Sequence, residues 1–245
     1  MANKESQKTA QRIERDRLRS FQARQAQYES KIVRRKRDNR TWGIIAGVVI
    51  ILAIGSQVLF TALTPSTTHT LPNKSLAQNK SWMASLGINN TTMSVELNGK
   101  AAPQAVASTI ALAKSGFYSG ISCHRLVTEG IYVLQCGDPK GDGTGGPGYN
   151  YGPVENAPAD NVYPAGTIAM ARSGNNAASQ GSQFFIVYKT STIPADTAGG
   201  YTVIGNVTSG LDQLVSNVIS VGVANGATDG APAKPITLKY FDIFG

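Results

Sequence analysis

The sequence predicts a mainly β protein, an antiparallel barrel or sandwich capped by two helices, behind one apolar span and a basic tail. Three observations lead there. From about Lys80 the chain falls into short alternating apolar runs broken by Gly, Asn and Pro, the texture of strands and tight turns. Only two stretches in that part carry helical spacing. Finally, Trp42 to Leu63 contains no charged residue.

The tail comes first. Residues 1–40 carry 13 Lys/Arg and 5 Asp/Glu, which accounts for the whole net charge of +8. The other 10 Lys/Arg and 10 Asp/Glu cancel. A basic face on the main domain is therefore not supported, and no nucleic-acid partner is expected. Within the tail Glu14, Asp16 and Glu29 alternate with the bases, and apolar positions such as Ile13, Leu18 and Phe21 are scattered. That pattern reads as a solvated segment (1–41) lying against anionic lipid.

Residues 42–64 follow as a transmembrane helix, since 22 uncharged residues at 1.5 Å each match a hydrocarbon core of about 30 Å. The run is too long for a signal-peptide core, and its basic flank too long for an n-region. Arg34, Arg35, Lys36, Arg37 and Arg40 precede it, while Thr64 to Asn73 carry no Lys, Arg, Asp or Glu. The positive-inside tendency then sets the N-terminus in the cytoplasm and the rest of this single-pass membrane protein outside. Residues 65–79, rich in Pro, Ser, Thr and Asn, read as a flexible tether to a domain spanning 80–245.

In that domain Trp82–Ile88 and Met93–Leu97 form a hairpin about Asn89-Asn90. A helix opens at Pro103, with Val106, Ile110, Leu112 and Ala113 on one face, and stops at Gly116. Strand-like runs lie at 121–127, 131–136, 166–171, 183–188 and 201–207. Ser209-Gly210-Leu211-Asp212 opens a second helix in the manner of a capping box, and Ile236–Tyr240 is the last strand.

With two His and two Cys in the whole chain, a His-based metal site or a Ser-His-Asp triad lacks material, and no cofactor is expected. The Gly-rich turn 141–148 is no phosphate cradle, because neither the Lys nor the helix of a P-loop follows it. The informative residues are GFYSGISCHRLV (116–127), VLQCGDPKGDGTGGPGY (133–149), GTIAMARSG (166–174) and GSQFFIVY (181–188). In order and spacing they resemble the signature of the cyclophilin family of peptidyl-prolyl cis/trans isomerases, over essentially all of 80–245. The Cys-His-Arg and Leu-Gln-Cys-Gly-Asp wording looks closest to its membrane-anchored bacterial branch.

The resemblance implies a closed antiparallel β-barrel and a folding catalyst for extracytoplasmic proteins, with proline-containing polypeptides as substrates. It implies that Arg125 and Gln135 are catalytic, and that Tyr132, Val133, Phe185 and Ile193 bed the proline ring. Gln183 matches a second substrate-contacting Gln, Ala171 and Arg172 the stretch whose backbone pairs with peptide, and Tyr201 a pocket-edge His. The reaction suits such a set: twisting the amide against a barrier of roughly 18–20 kcal/mol needs no nucleophile, only a donor for the nitrogen or oxygen as resonance is lost. Arg125, always charged and fork-shaped, is such a donor.

Departures are visible as well. Two extra residues lie between Arg125 and Gln135, Tyr132 and Val133 stand for the usual Phe and Met, Arg172 for Asn, and Thr192 for Trp. Weakened cyclosporin binding is the expected result. A binding module or holdase for Pro-containing segments is the alternative reading. Cys123 and Cys136, the only cysteines, sit on the two strands of the hairpin carrying Arg125 and Gln135. In an oxidising exterior they form either a staple across that hairpin or two buried thiols.

Overall fold

The computed structural model describes residues 69–245. The basic tail and the apolar span read from the sequence lie outside the described residues. Within them, no helix is long and apolar enough to cross a membrane.

Among the described residues twelve strands follow in chain order: β1 (Ser81–Ile88), β2 (Thr91–Asn98), β3 (Ile121–Ser122), β4 (Arg125–Val127), β5 (Val133–Cys136), β6 (Val162–Tyr163), β7 (Thr167–Met170), β8 (Phe184–Val187), β9 (Ser191–Thr192), β10 (Val203–Ser209), β11 (Asp229–Gly230) and β12 (Thr237–Phe244). A long helix (Pro103–Lys114) follows β2 and a short one (Leu211–Asn217) follows β10. Ten strands form one sheet in the order β11-β4-β5-β8-β7-β10-β2-β1-β12-β3, while β6 and β9 pair separately.

The sheet is an open, curled half-barrel, which corrects the expected closed barrel. Its end strands β3 and β11 are each two residues long and have no ladder between them. The chain itself crosses the gap: β3 ends at Ser122 and β4 begins at Arg125, near opposite ends of the sheet order. Cys123 and His124 thus bridge the two ends covalently.

Period-two alternation gives the sheet two distinct faces. Leu126, Leu134, Ile168, Met170, Phe184 and Ile186 enter the main core with Val106, Ile110 and Leu112 of the long helix and Leu214 of the short one. Their neighbours Val127, Val133, Ala169, Phe185 and Val187 join Tyr163 and Ile193 in a smaller cluster on the other face. Both faces of β8 are buried for this reason. The smaller cluster is the bed of the site.

Two local expectations change. The capping box at 209–212 is absent: Ser209 ends β10, and Gly210 is the cap at φ 91°, making no side-chain bond. A side chain there would also meet the Thr92 carbonyl oxygen at 2.6 Å, so only glycine fits. In the stretch read as a tether, Lys74–Ala77 forms a turn of 3-10 helix capped by Asn73. The buried Ala77 offers its carbonyl to Trp82 Nε1 at 2.8 Å.

Candidate active site

Strand register places the central residues in one transverse row. Arg125 on β4 faces Gln135 on β5, Gln135 faces Phe185 on β8, Phe185 faces Ala169 on β7, and Ala169 faces Val203 on β10. Directly opposite residues on one face lie about 4.5–5.5 Å apart, close enough to act together. A cavity of about 170 Å³ opens over this row. Ile131, Val133, Phe185 and Ile193 give it apolar walls, Arg125 and Gln135 supply donors, and Ala171, Arg172 and Tyr201 close the far side.

Phe185, 5% exposed, is held by edge-to-face rings of Tyr201 at 5.5 Å and Tyr163 at 6.4 Å. Tyr132 does not line this cavity. Ile131, in the bend just before β5 and not singled out from the sequence, lines it beside Val133 instead. The Tyr132 ring packs against Tyr188 at 6.0 Å beneath Lys189 Nζ.

A continuous hydrogen-bond chain crosses the site. Arg125 Nε and Nη2 donate to the two carboxylate oxygens of Asp229, each at 2.7 Å. Arg125 Nη1 donates to Gln135 Oε1 at 3.4 Å, and Gln135 Nε2 donates to Gln183 Oε1 at 2.8 Å. Gln183 Nε2 in turn donates to the carbonyls of Gly143 and Gly145, at 3.0 and 2.9 Å. The Asp229 carboxylate raises the Arg125 guanidinium further above its ordinary value, and Arg125 holds Asp229 below the usual carboxylate range.

The Gly-rich turn at the end of this chain is folded around Asp138. That fully buried carboxylate accepts from the backbone N–H groups of Lys140, Asp142 and Gly143. Burial pushes its carboxyl up, but the backbone donors outweigh burial and hold it below the usual range. Any side chain at Gly145 would collide with the Asp138 carboxylate. Burial lowers the neighbouring His124 imidazole, against the opposite pull of Asp138.

Gln183 and Arg172 spend their side chains on the protein itself. Arg172 Nε donates to Gly200 O, Nη1 to Ser173 O and Asp196 Oδ2, and Nη2 to Asp196 Oδ1 and Gly199 O, so all five donors are satisfied. Its side chain is 1% exposed and lies over the Tyr201 ring at 4.7 Å. A second, larger cavity of about 410 Å³ adjoins the first and shares Gln135, Ala171 and Arg172 with it. Its lining is polar: Gln183, Thr144, Asn150 and Ser179, with glycines of the 143–146 turn.

Cys123 and Cys136 are joined by a disulfide with Cα atoms 4.0 Å apart. The bond ties the segment leading into β4 to the end of β5, behind Arg125 and Gln135. The staple, not the pair of free thiols, is the arrangement found.

Residues 83–241 match a family model described as cyclophilin type peptidyl-prolyl cis-trans isomerase/CLD. The chain is 40% identical over 165 residues to a probable peptidyl-prolyl cis-trans isomerase B of Mycobacterium tuberculosis, covering 63% of this chain and 52% of that protein. It thus spans about half the length of the mycobacterial relative. A peptidyl-prolyl cis-trans isomerase of Helicobacter pylori is 37% identical over 158 residues, 64% of this chain and 91% of the relative. Among solved structures, a cyclophilin type peptidyl-prolyl cis-trans isomerase of Cryptosporidium parvum superposes with a TM-score of 0.56 at 25% identity, covering 67% of this chain and 98% of its own. The same protein solved in the presence of the dipeptide Ala-Pro gives 0.56 at 26% identity, covering 66% of this chain and 99% of its own.

Proposed function

The chain belongs to the cyclophilin-type peptidyl-prolyl isomerase family, and from that premise we propose that it catalyses cis/trans isomerisation of X-Pro bonds in polypeptides. The observation that carries the reading is the row Arg125–Gln135–Phe185 beneath an apolar cavity. In this reading the proline ring rests on Phe185, Val133, Ile131 and Ile193, and the residues before it run toward the polar cavity past Ala171. As the C–N bond rotates, resonance is lost and the prolyl nitrogen regains its lone pair. Arg125 meets that change with a fixed positive donor, and Gln135 keeps the guanidinium over the row. A donor aimed at the twisted amide and poorly used by either planar form lowers the barrier without any covalent step.

We also propose that Arg125 and Gln135 are the catalytic pair, and that Val133, Ala171, Arg172, Gln183, Phe185, Ile193 and Tyr201 shape the substrate groove. The side chains of Arg172 and Gln183 act there as walls, since their donors are already satisfied. The proposed place of work is outside the cytoplasm, on proteins folding near a membrane in which residues 42–64 anchor the chain. The charge pattern around that apolar run supports this location, and so does the bonded cysteine pair.

A binding module without turnover is the second reading, favoured by the engaged donors of Arg172 and Gln183. One experiment separates the two. The full-length chain in mild detergent is titrated into a short Ala-Pro peptide while cis–trans exchange and binding are followed together by NMR. Exchange faster than the uncatalysed rate supports the isomerase; saturable binding with no gain in exchange supports the binding module.

A further inference from the structure

We propose that Asp229 is a positioning residue of the reaction: its carboxylate holds the Arg125 guanidinium side-on and aims the free edge of the fork at the substrate amide. The inference rests on the isomerase reading of this site.

Asp229 lines neither cavity, so it acts through Arg125. Its place is set by the sheet. On β11 it pairs with Val127 of β4, which puts it diagonal to Arg125 on the same face and within reach of that long side chain. The hairpin that carries it is closed behind by the Val223–Pro232 bridge and by Ala224 N donating to Ala231 O at 2.8 Å.

The bond pattern decides the role. Of five guanidinium donors, one on Nε and one on Nη2 go to Asp229, and one on Nη1 goes to Gln135. The remaining N–H of Nη1 and of Nη2 are left for a substrate. The two 2.7 Å bonds fix the plane of the fork, whereas the 3.4 Å bond to Gln135 alone leaves it free to swing. Arg125 and Asp229 are 40% and 48% exposed, and pairs of that kind contribute little to stability. Loss of the carboxylate should therefore be felt in aim and not in folding.

The test compares wild type, Asp229→Asn and Asp229→Glu in the full-length chain, purified in mild detergent, with a short Ala-Pro peptide as substrate. In Asp229→Asn, kcat is expected to fall at least about fivefold while KM stays within about twofold, and Asp229→Glu recovers most of the rate. The Arg125 Nε–H resonance, protected in wild type, exchanges rapidly with water in Asp229→Asn. An unchanged or raised kcat, or an unaltered Arg125 resonance, overturns the inference. If the wild type itself gives no catalysed rate, the isomerase reading fails, and the resonance alone decides whether Asp229 restrains Arg125.

Discussion

Arg172 donates to both carboxylate oxygens of Asp196, at 2.9 and 2.8 Å, across 24 positions of sequence. The pair welds the stretch after β7 to the loop that follows β9. That loop begins beside Ile193 and ends at Tyr201, both walls of the apolar cavity. Where the family resemblance leads one to expect Asn, this chain has a clamp.

Removing the clamp should loosen the pocket and the fold together. Arg172→Ala removes the guanidinium donors from the Asp196 carboxylate and from the carbonyls of Ser173, Gly199 and Gly200, leaving Asp196 only the backbone N–H groups of Asn175 and Ala198. The variant loses five bonds of a buried guanidinium, although Asp196 itself is partly exposed, so the thermal midpoint should drop by at least roughly 4 °C on the scale of a domain this size. Affinity for an Ala-Pro peptide should fall in parallel, read by NMR titration.

The same clamp predicts a pH effect. Arg172 first, then the Asn175 N–H, hold the Asp196 carboxyl well below the usual carboxylate range. A depressed folded value means the stabilisation is present above the unfolded value of about 3.9 and is lost as pH falls through the folded one. Thermal melts should show a flat midpoint between about pH 7 and 5 and a decline below about pH 4. Asp196→Asn should start lower at neutral pH and decline less steeply. The decline persists in part, because the buried Asp138 is depressed as well.

The disulfide closes a short loop, with 13 positions separating Cys123 from Cys136. A loop of that size stabilises by about 3 kcal/mol through the unfolded chain. The Cys123→Ser/Cys136→Ser variant should therefore lose roughly that amount in urea unfolding. Alkylation of the denatured wild type should add no label before reduction and two after it.

Phe185 is the floor of the proline pocket. Phe185→Leu keeps an apolar side chain of smaller area, at a stability cost of about 1 kcal/mol. It should raise KM for the peptide several-fold while kcat changes less. Gln183→Ala breaks the link between Gln135 and the Gly143–Gly145 turn, and should lower kcat/KM about fivefold, on the order of 1 kcal/mol.

How much of this was legible beforehand follows from what each feature depends on. Phe184 and Phe185 were separable from the sequence, because alternation in a strand sends neighbours to opposite faces, and they do divide between the two clusters. Ile131 and Tyr132 precede β5, so alternation does not say which of them meets the cavity, and it is Ile131 that lines it. The cysteines were readable as hairpin partners once Arg125 and Gln135 lay on adjacent strands. Asp229 was not readable: it meets Arg125 across 104 positions, and only the β11–β4 pairing brings them together. Asp196 is hidden for the same reason. Alternating runs announced the strands but carry no information on closure, because that is decided at β3 and β11, two residues each, too short to leave a periodic trace.

The most direct test of the central claim is the rate of cis–trans exchange of a short Ala-Pro peptide with the full-length chain, beside Arg125→Ala. The account predicts catalysis by the wild type that falls more than about tenfold in the variant, a loss above about 1.4 kcal/mol of transition-state stabilisation. Equal catalysis by the two would contradict it, because the row over Phe185 would then work without its donor.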